Sequence, residues 1–285
     1  MKLASYLLPG SQEKSFGMVV GCGIIDIGRH LGARFPDLKA VLKAEALAEL
    51  APFSQHPIDY QASDVTFLPV VDQPDKIFCV GMNYAEKRKE FAETCDAPTL
   101  FIRFPDSLAG HACPVVKPDR SDEFDYEGEL AVVIGKHARN VSRADALSCV
   151  AGYSCFMDGS VRDMQYTWFT SGKNWVNTGG FGPWLVTRDD IANPQQLPIH
   201  TYLNGRQVQG DNTANMIRSV PELIEYISAF SPLSPGDVII TGSPGGVGKK
   251  RTPPLFLQNG DVIEVEIGGI GRLSNPVVSE ACLLD

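Results

Sequence analysis

The stretch Glu123-Phe124-Asp125-Tyr126-Glu127-Gly128-Glu129-Leu130-Ala131-Val132-Val133-Ile134-Gly135 reads as a β-strand toward its C-terminal end, yet it opens with four carboxylates in seven residues. Residues two apart on a strand share a face. Glu127 and Glu129 therefore point the same way, in register with Asp125 and Ala131, while Leu130, Val132 and Ile134 take the opposite face. Like charges this close repel. If buried and ionised without a partner, each costs several kcal/mol. Solvent, a bound proton or a cation would relieve that cost. For an arbitrary Glu-x-Glu the ordinary expectation is a solvated strand end. Here the apolar run that follows carries the pair toward a core.

A third carboxylate is within reach of this argument. In GYSCFMDGSVRDMQ (152–165), Asp158 ends an apolar run and precedes Gly159, which reads as a strand-to-turn junction at the rim of a sheet. A set of carboxylates without His or Cys favours Mg²⁺, Mn²⁺ or Ca²⁺ over Zn²⁺. Mg²⁺ in such a site keeps waters or takes substrate oxygens.

The surroundings are strand-rich. KIFCVGM (76–82), TLFIRF (99–104), GPWLVT (182–187), HTYLNGRQV (200–208), DVIITG (237–242) and DVIEVEIGGIGRLSNPVV (261–278) all read as strands or hairpins. Asn204-Gly205 suits a type I′ turn. Helices are few. Ser219, Pro221 and Glu222 open one, with Leu223, Ile224, Ile227 and Phe230 on one side. Ser142 and Asp145 offer a second capping box. Many short strands with little βαβ alternation predict an α+β, mostly β fold.

Residues 1–72 read as a small N-terminal domain, ahead of a main domain over 73–285. FGMVVGCGIIDIG (16–28) suggests a hairpin with Gly21 and Gly23 at its turn. PDLKAVLKAEALAEL (36–50) predicts a helix capped by Asp37. LPVVDQPDK (68–76) reads as the linker.

The chain has 285 residues, 44% of them apolar, enough for a large core. A net charge of −9 argues against nucleic acid as a partner, because phosphate binding needs a basic surface. Seven unpatterned cysteines point to a reducing compartment. The N-terminus is too weakly apolar for a convincing signal peptide, and no window approaches 18 consecutive apolar residues. The expectation is a cytoplasmic enzyme with no membrane partner.

Eight blocks occur in an order that resembles the fumarylacetoacetate hydrolase family: KIFCVGMNYAEKRKEF, DYEGELAVVIGK, AGYSCFMDGSVRDMQ, SGKN, GPWLVT, LNGRQVQ, LSPGDVIITGSPGGVG and NGDVIEVEIGGIGRLSNPVV. The likeness covers about residues 75–280. It implies a mixed β-sandwich or roll for the catalytic domain and, in most members, a homodimer. It also implies a divalent metal, Mg²⁺ or otherwise Mn²⁺ or Ca²⁺, held by Glu127, Glu129 and Asp158. Other motif positions carry over as well. Lys173 in SGKN matches an active-site lysine. Arg162 and Gln165, four and seven residues after Asp158, would share its side on a helical turn and bind substrate. Ser243 stands where a substrate-facing Thr is common.

A divalent ion with open positions can chelate a 2-oxo or β-diketo acid and stabilise its enolate. Hydrolytic C–C cleavage, decarboxylation and tautomerisation all use that device. The resemblance puts hydrolysis of an acylpyruvate-like substrate first. One departure weighs against it. Hydrolytic members resemble GxNYxxHxxE at a lid, where His and Glu activate water, and GMNYAEKRKEF puts Lys87 at the His position. An ammonium has no lone pair with which to accept a proton. Three readings follow: Glu90 acts alone as base, His111 substitutes, or the reaction needs no activated water, as in decarboxylation or isomerisation of a dicarboxylic oxo acid. A homologue that binds metal without catalysis is the rival of a different class.

The glycines of TGSPGGVGKK do not make a phosphate loop. Counting back from Gly248-Lys249 lands on Ser243 where Walker A needs Gly, and Lys250 stands where it needs Ser or Thr.

Overall fold

The computed structural model describes residues 1–94, 97–166 and 168–283. Two large sheets carry the chain, with a two-stranded ladder of Phe124–Asp125 and Ser160–Val161 beside them. The larger has twelve strands. Its path runs from Tyr60–Gln61 through Gly23–Asp26, Lys14–Val20 and Lys2–Leu7 to Gly179–Thr187, Val150–Asp158 and Gly128–Ile134, and ends with Val238–Ile240, Ile77–Gly81 and Thr99–Ile102. The second sheet has five strands, in the order Arg206–Asn212, Pro198–Leu203, Val262–Ile267, Gly271–Ser279 and Val115–Lys117. Most neighbours are antiparallel. Val238–Ile240 runs parallel to Ile77–Gly81, and Gly271–Ser279 parallel to Val115–Lys117. The mostly β, α+β expectation holds, and the mixed two-sheet arrangement is the one the resemblance implied.

The acidic strand lies inside the larger sheet, and every residue of Gly128–Ile134 is buried. Its two faces serve different cores. Leu130, Val132 and Ile134 pack with Ile199, Ile263, Val265 and Leu273 of the second sheet and with Leu223, Ile224 and Ile227 of the helix Val220–Phe230. Ala131 and Val133 pack with Leu3, Phe16, Leu38, Val41 and Phe181. A strand covered on both sides reads as a continuous apolar run. Asp125 and Glu127, just ahead of it, are buried too, so the ordinary expectation of a solvated strand end fails for them, while Glu123 alone reaches the surface and pairs with Lys249.

The N-terminal residues do not pack as a separate unit. Lys2–Leu7 pairs antiparallel with Gly179–Thr187, placing Lys2 opposite Val186 and Leu3 opposite Leu185. Leu3, Phe16, Val41 and Leu42 share one apolar cluster with Ile77, Ala131 and Val238. Ala4, Tyr6, Val19, Ile24 and Phe67 form a further cluster of their own on this N-terminal part.

Local expectations fare unevenly. The hairpin at 21–22 forms, with Val20 opposite Gly23. Asn204 and Gly205 both have positive φ, at 51° and 76°, as a type I′ turn requires. Asp37 accepts a bond from Ala40 N at 2.7 Å, but the helix it caps spans only Leu38–Lys43. Glu45 at φ 52° breaks the pattern, and Leu47–Gln55 continues as 3₁₀. The Ser142–Asp145 pair forms at 2.7 Å but opens only the 3₁₀ turn Ala146–Cys149, because the next strand begins at Val150. The Ser219–Glu222 capping box forms and starts Val220–Phe230. Leu223, Ile224 and Ile227 are buried as expected, whereas Phe230 is exposed and stacks on Tyr226 and Phe78. No helix among the described residues is long and apolar enough to cross a membrane.

Candidate active site

Glu127, Glu129 and Asp158 converge. Each offers a carboxylate oxygen within 4.8 Å of the others, and all three residues are buried. Glu127 and Glu129 flank Gly128, whose missing side chain is a packing requirement: a Cβ there would lie 2.1 Å from Thr201 Oγ1 of the second sheet. Asp158 reaches the pair because Val150–Asp158 is the antiparallel neighbour of the acidic strand, with Met157 opposite Gly128. Asp158 N also donates to Glu127 O at 2.8 Å.

The three carboxyl groups are held differently. Glu127 is surrounded by cations. Lys87 Nζ lies 2.7 Å from its Oε2, Arg162 Nη2 lies 2.6 Å from Oε1, and Lys173 Nζ lies 3.3 Å from Oε1. Burial alone would raise its pKa, but Lys173, Lys87 and Arg162 outweigh burial and hold it well below the usual carboxylate range. Asp158 is bonded by Lys173 at Oδ2 and by Arg103 Nη1 at Oδ1, the latter at 2.6 Å. Among the described residues Glu129 has one hydrogen bond, from Gly242 N at 2.5 Å, and no ion pair. Burial, and then the charges of Asp158 and Glu127, push its carboxyl well above the ordinary range.

A buried carboxyl with no ion pair of its own, on which burial and two more carboxylates outweigh the pull of Lys87 and Lys173, is the arrangement a hard cation would complete. The donor set is all oxygen, which suits Mg²⁺ or Mn²⁺. The trio fits a divalent ion.

Ser243 belongs to the site: its Oγ accepts from Lys87 at 2.6 Å and donates to Glu127 Oε2 at 3.2 Å. The glycine loop around it binds the protein's own carboxylates. Gly242 N, Gly246 N and Gly248 N donate to Glu129, Glu90 and Asp125. Gly242 adopts φ 97°, open to glycine but strained for other residues, and so aims its N–H at Glu129.

Arg162 is buried in the site, but not on a helix shared with Asp158. Asp158 ends a strand, and Arg162 opens the 3₁₀ turn Arg162–Met164. Its Nε donates to Asp125 at 2.8 Å. Nη2 makes a charge contact with Glu127 that is not aligned as a hydrogen bond. Gln165 Oε1 accepts from Arg162 Nη1 at 3.4 Å, while its Nε2 is buried without a partner. Lys173 ends the short helix Thr170–Lys173 and also donates to Ser160 Oγ at 2.6 Å.

Glu90 lies on the helix Ala85–Phe91, one turn after Lys87 and outside the lining of the small cavity beside Glu127. Its Oε1 accepts from Gly246 N at 2.7 Å, and its Oε2 is buried without a partner. A cavity of about 20 Å³ is lined by Lys87, Glu127, Arg162, Lys173, Phe91, Phe101 and Phe169, together with Gly81 and Met82. It has room for little more than one water.

His111 does not line that cavity. Its Nδ1 accepts from Ser274 N at 3.2 Å, its ring stacks edge-on against Phe67 at 5.3 Å, and burial lowers its pKa. It packs against the second sheet, with its Nδ1 lone pair engaged by Ser274 N. We expect His111→Gln, which keeps an acceptor for Ser274 N, to change kcat less than about fivefold, against about 10²–10⁴-fold for a true general base. Steady-state rates of the purified variant check this; a hundredfold loss in folded protein would return His111 to the site.

Sequence reasoning missed Arg103, Ser160 and the positioning role of Asp125. Arg103 is fully covered and binds Asp158, Gly159 O, Ser107 and Thr178. An arginine inside TLFIRF, a run otherwise fit for a core strand, was the available signal. Asp125 accepts from Arg162 Nε, Gly248 N and Lys249 N, tying the acidic strand to the glycine loop.

The fold and the site together define a class: β-rich proteins that gather three buried carboxylates where neighbouring strands meet. The family profile described as "Fumarylacetoacetate (FAA) hydrolase C-terminal" matches residues 76–278, and the chain belongs to the fumarylacetoacetate hydrolase family. It is 36% identical to the mitochondrial oxaloacetate tautomerase Fahd2a of Rattus norvegicus, over 98% of this chain and 92% of that protein. It is 38% identical to the oxaloacetate tautomerase YisK of Bacillus subtilis, over 80% of each. Among solved structures, maleylpyruvate hydrolase from Sphingobium sp. SYK-6, in complex with manganese(II) ion and pyruvate, superposes with a TM-score of 0.82 at 28% identity, covering 98% of this chain and 99% of that one.

Proposed function

We propose that this chain interconverts the keto and enol forms of a 2-oxo dicarboxylic acid, with oxaloacetate the first candidate, using Mg²⁺ or Mn²⁺ held by Glu127, Glu129 and Asp158. The observation that carries the choice of reaction is Lys87. Where a hydrolytic dyad would place a neutral imidazole, an ammonium is buried between Glu127 and Ser243. Two relatives of this chain are named as oxaloacetate tautomerases. Tautomerisation moves one proton between carbon and oxygen and needs no attacking water.

The ion, when bound, supplies Lewis-acid polarisation of a chelated 2-oxo acid. The chain's own groups do the rest. Lys87 and Lys173 present N–H donors where charge develops on the enolate oxygen. Phe91, Phe101 and Phe169 keep the cavity dry, which strengthens those interactions and protects the enolate from water. Glu90, with Oε1 fixed by Gly246 N, holds or returns the carbon-bound proton at its unpartnered Oε2. That same free oxygen supports a second reading, hydrolysis of an acylpyruvate with Glu90 alone orienting the water.

The deciding experiment dilutes enol-oxaloacetate into buffer with protein and Mn²⁺, and follows enol decay together with CO₂ and carboxylate release. Faster enol decay, with deuterium exchange at C3 and no fragment release, is expected. Cleavage of acylpyruvates without an effect on enol decay would replace tautomerisation by hydrolysis, and stoichiometric CO₂ would replace it by decarboxylation. Metal binding without turnover of any of these substrates would favour the non-catalytic rival. The homodimer implied by the family resemblance is part of this proposal, and sedimentation equilibrium checks it.

A further inference from the structure

Eight charged side chains are buried together around the carboxylate trio, none more than 6% exposed: Asp125, Glu127, Glu129 and Asp158 against Lys87, Arg103, Arg162 and Lys173. With every group ionised, four negative and four positive charges sum to zero. At the rim, Glu90 and Lys250 oppose each other in sign, with Lys250 exposed over the Phe91 ring. A divalent ion on the trio would leave two positive charges uncompensated. Away from solvent such a surplus is poorly screened. A ligand with two negative charges restores neutrality; a ligand with one does not.

Three of the four cations are committed to the frame. Arg103 is bonded to Asp158, Ser107, Thr178 and Gly159 O and is not among the cavity's lining residues. Arg162 is anchored through Nε on Asp125, with Nη2 held against Glu127 by charge alone, and Lys173 is anchored on Asp158 and Ser160. Lys87 differs. It is the sole buried residue of Ala85–Phe91, so that helix turns an ammonium inward where a surface helix ordinarily buries apolar side chains. Its Nζ has two partners, Glu127 Oε2 and Ser243 Oγ. An ammonium carries three donors, so one remains for a ligand in the cavity that Lys87 lines.

We propose that Lys87 is the specificity-determining residue for ligand charge, making this site select a doubly charged oxo acid over a singly charged one of the same shape. The inference rests on the oxo-acid reading above but not on the reaction assigned there.

Oxalate and oxamate provide the test. Both are planar and chelating, and they differ by one charge. Calorimetric titration of each into the full chain at a fixed Mn²⁺ concentration, referred to its affinity for Mn²⁺ in free solution, gives a charge preference. One unit charge about 5 Å away, at the effective screening of protein sites, corresponds to a preference on the order of 100-fold. Lys87→Met should cut that preference at least about tenfold, while Lys87→Arg and Lys250→Met keep it. Lys87→Gln is prepared alongside, so an unfolded Met variant still leaves a neutral side chain to titrate. Wild-type protein without a preference for oxalate, or a neutral Lys87 variant that keeps it, overturns the proposal. An intact preference in protein that leaves oxaloacetate unchanged removes the reaction and supports this inference.

Discussion

Glu129→Gln should abolish divalent-metal binding and reduce turnover by roughly a thousandfold, the several kcal/mol a Lewis acid contributes, while leaving the metal-free protein more stable than wild type. The two halves of this prediction have one cause. Among the described residues Glu129 is the member of the trio with no ion pair, and its single hydrogen bond comes from Gly242 N. In metal-free protein, burial and the neighbouring carboxylates disfavour its charge. A neutral amide of the same shape ends the repulsion with Asp158 and Glu127, so the melting temperature should rise by a few degrees. The same substitution removes a ligand. Calorimetric titration with Mn²⁺ and a thermal melt without metal check both halves. Unchanged metal affinity would take Glu129 out of the site, and a lower melting temperature would show that its charge is compensated in a way this geometry lacks.

Arg103→Met should be the most destabilising single change near the site, at about 3–5 kcal/mol, or a fall in melting temperature on the order of 10 °C. Arg103 is buried on Asp158 and serves four further acceptors: Gly159 O, Ser107 Oγ, Ser107 O and Thr178 Oγ1. Methionine matches its stem but leaves Asp158 with Lys173 as its remaining ionic partner. Breaking a buried pair from one side costs far more than the pair contributes, because a charge is left behind. Chemical denaturation of wild type and variant measures the difference. A loss under about 1 kcal/mol would mean that Lys173 alone holds Asp158.

Much of the architecture was legible because strand periodicity is local. The alternation in Gly128–Ile134 separates two sets of side chains, and the two cores divide along that line. Asn204-Gly205 and the Ser219–Glu222 box carry their own turn and cap chemistry. Where local signals misled, tertiary packing decided. The helix expected across 36–50 breaks at Glu45, and the Ser142–Asp145 cap yields one turn before a strand claims Val150. The N-terminal residues looked independent because nothing local shows that Lys2–Leu7 pairs with Gly179–Thr187.

The candidate site divides the same way. Its carboxylates stood out because charge ahead of an apolar strand is locally anomalous and because their motifs resemble a family. Their partners did not. Lys87 reaches Glu127 across 40 residues, Arg103 reaches Asp158 across 55, and Gly242 reaches Glu129 across 113. His111 reads from sequence as a loop histidine, and its packing against Phe67 is a contact that sequence does not show.

Sequence by itself determined that this is a strand-built protein with acids in an unusual place, since side-chain alternation and turn chemistry are properties of neighbours along the chain. Tertiary structure alone decided which cation meets which acid and which carboxyl is left without one. Ion pairing acts through space, and strands remote in sequence cross at this point.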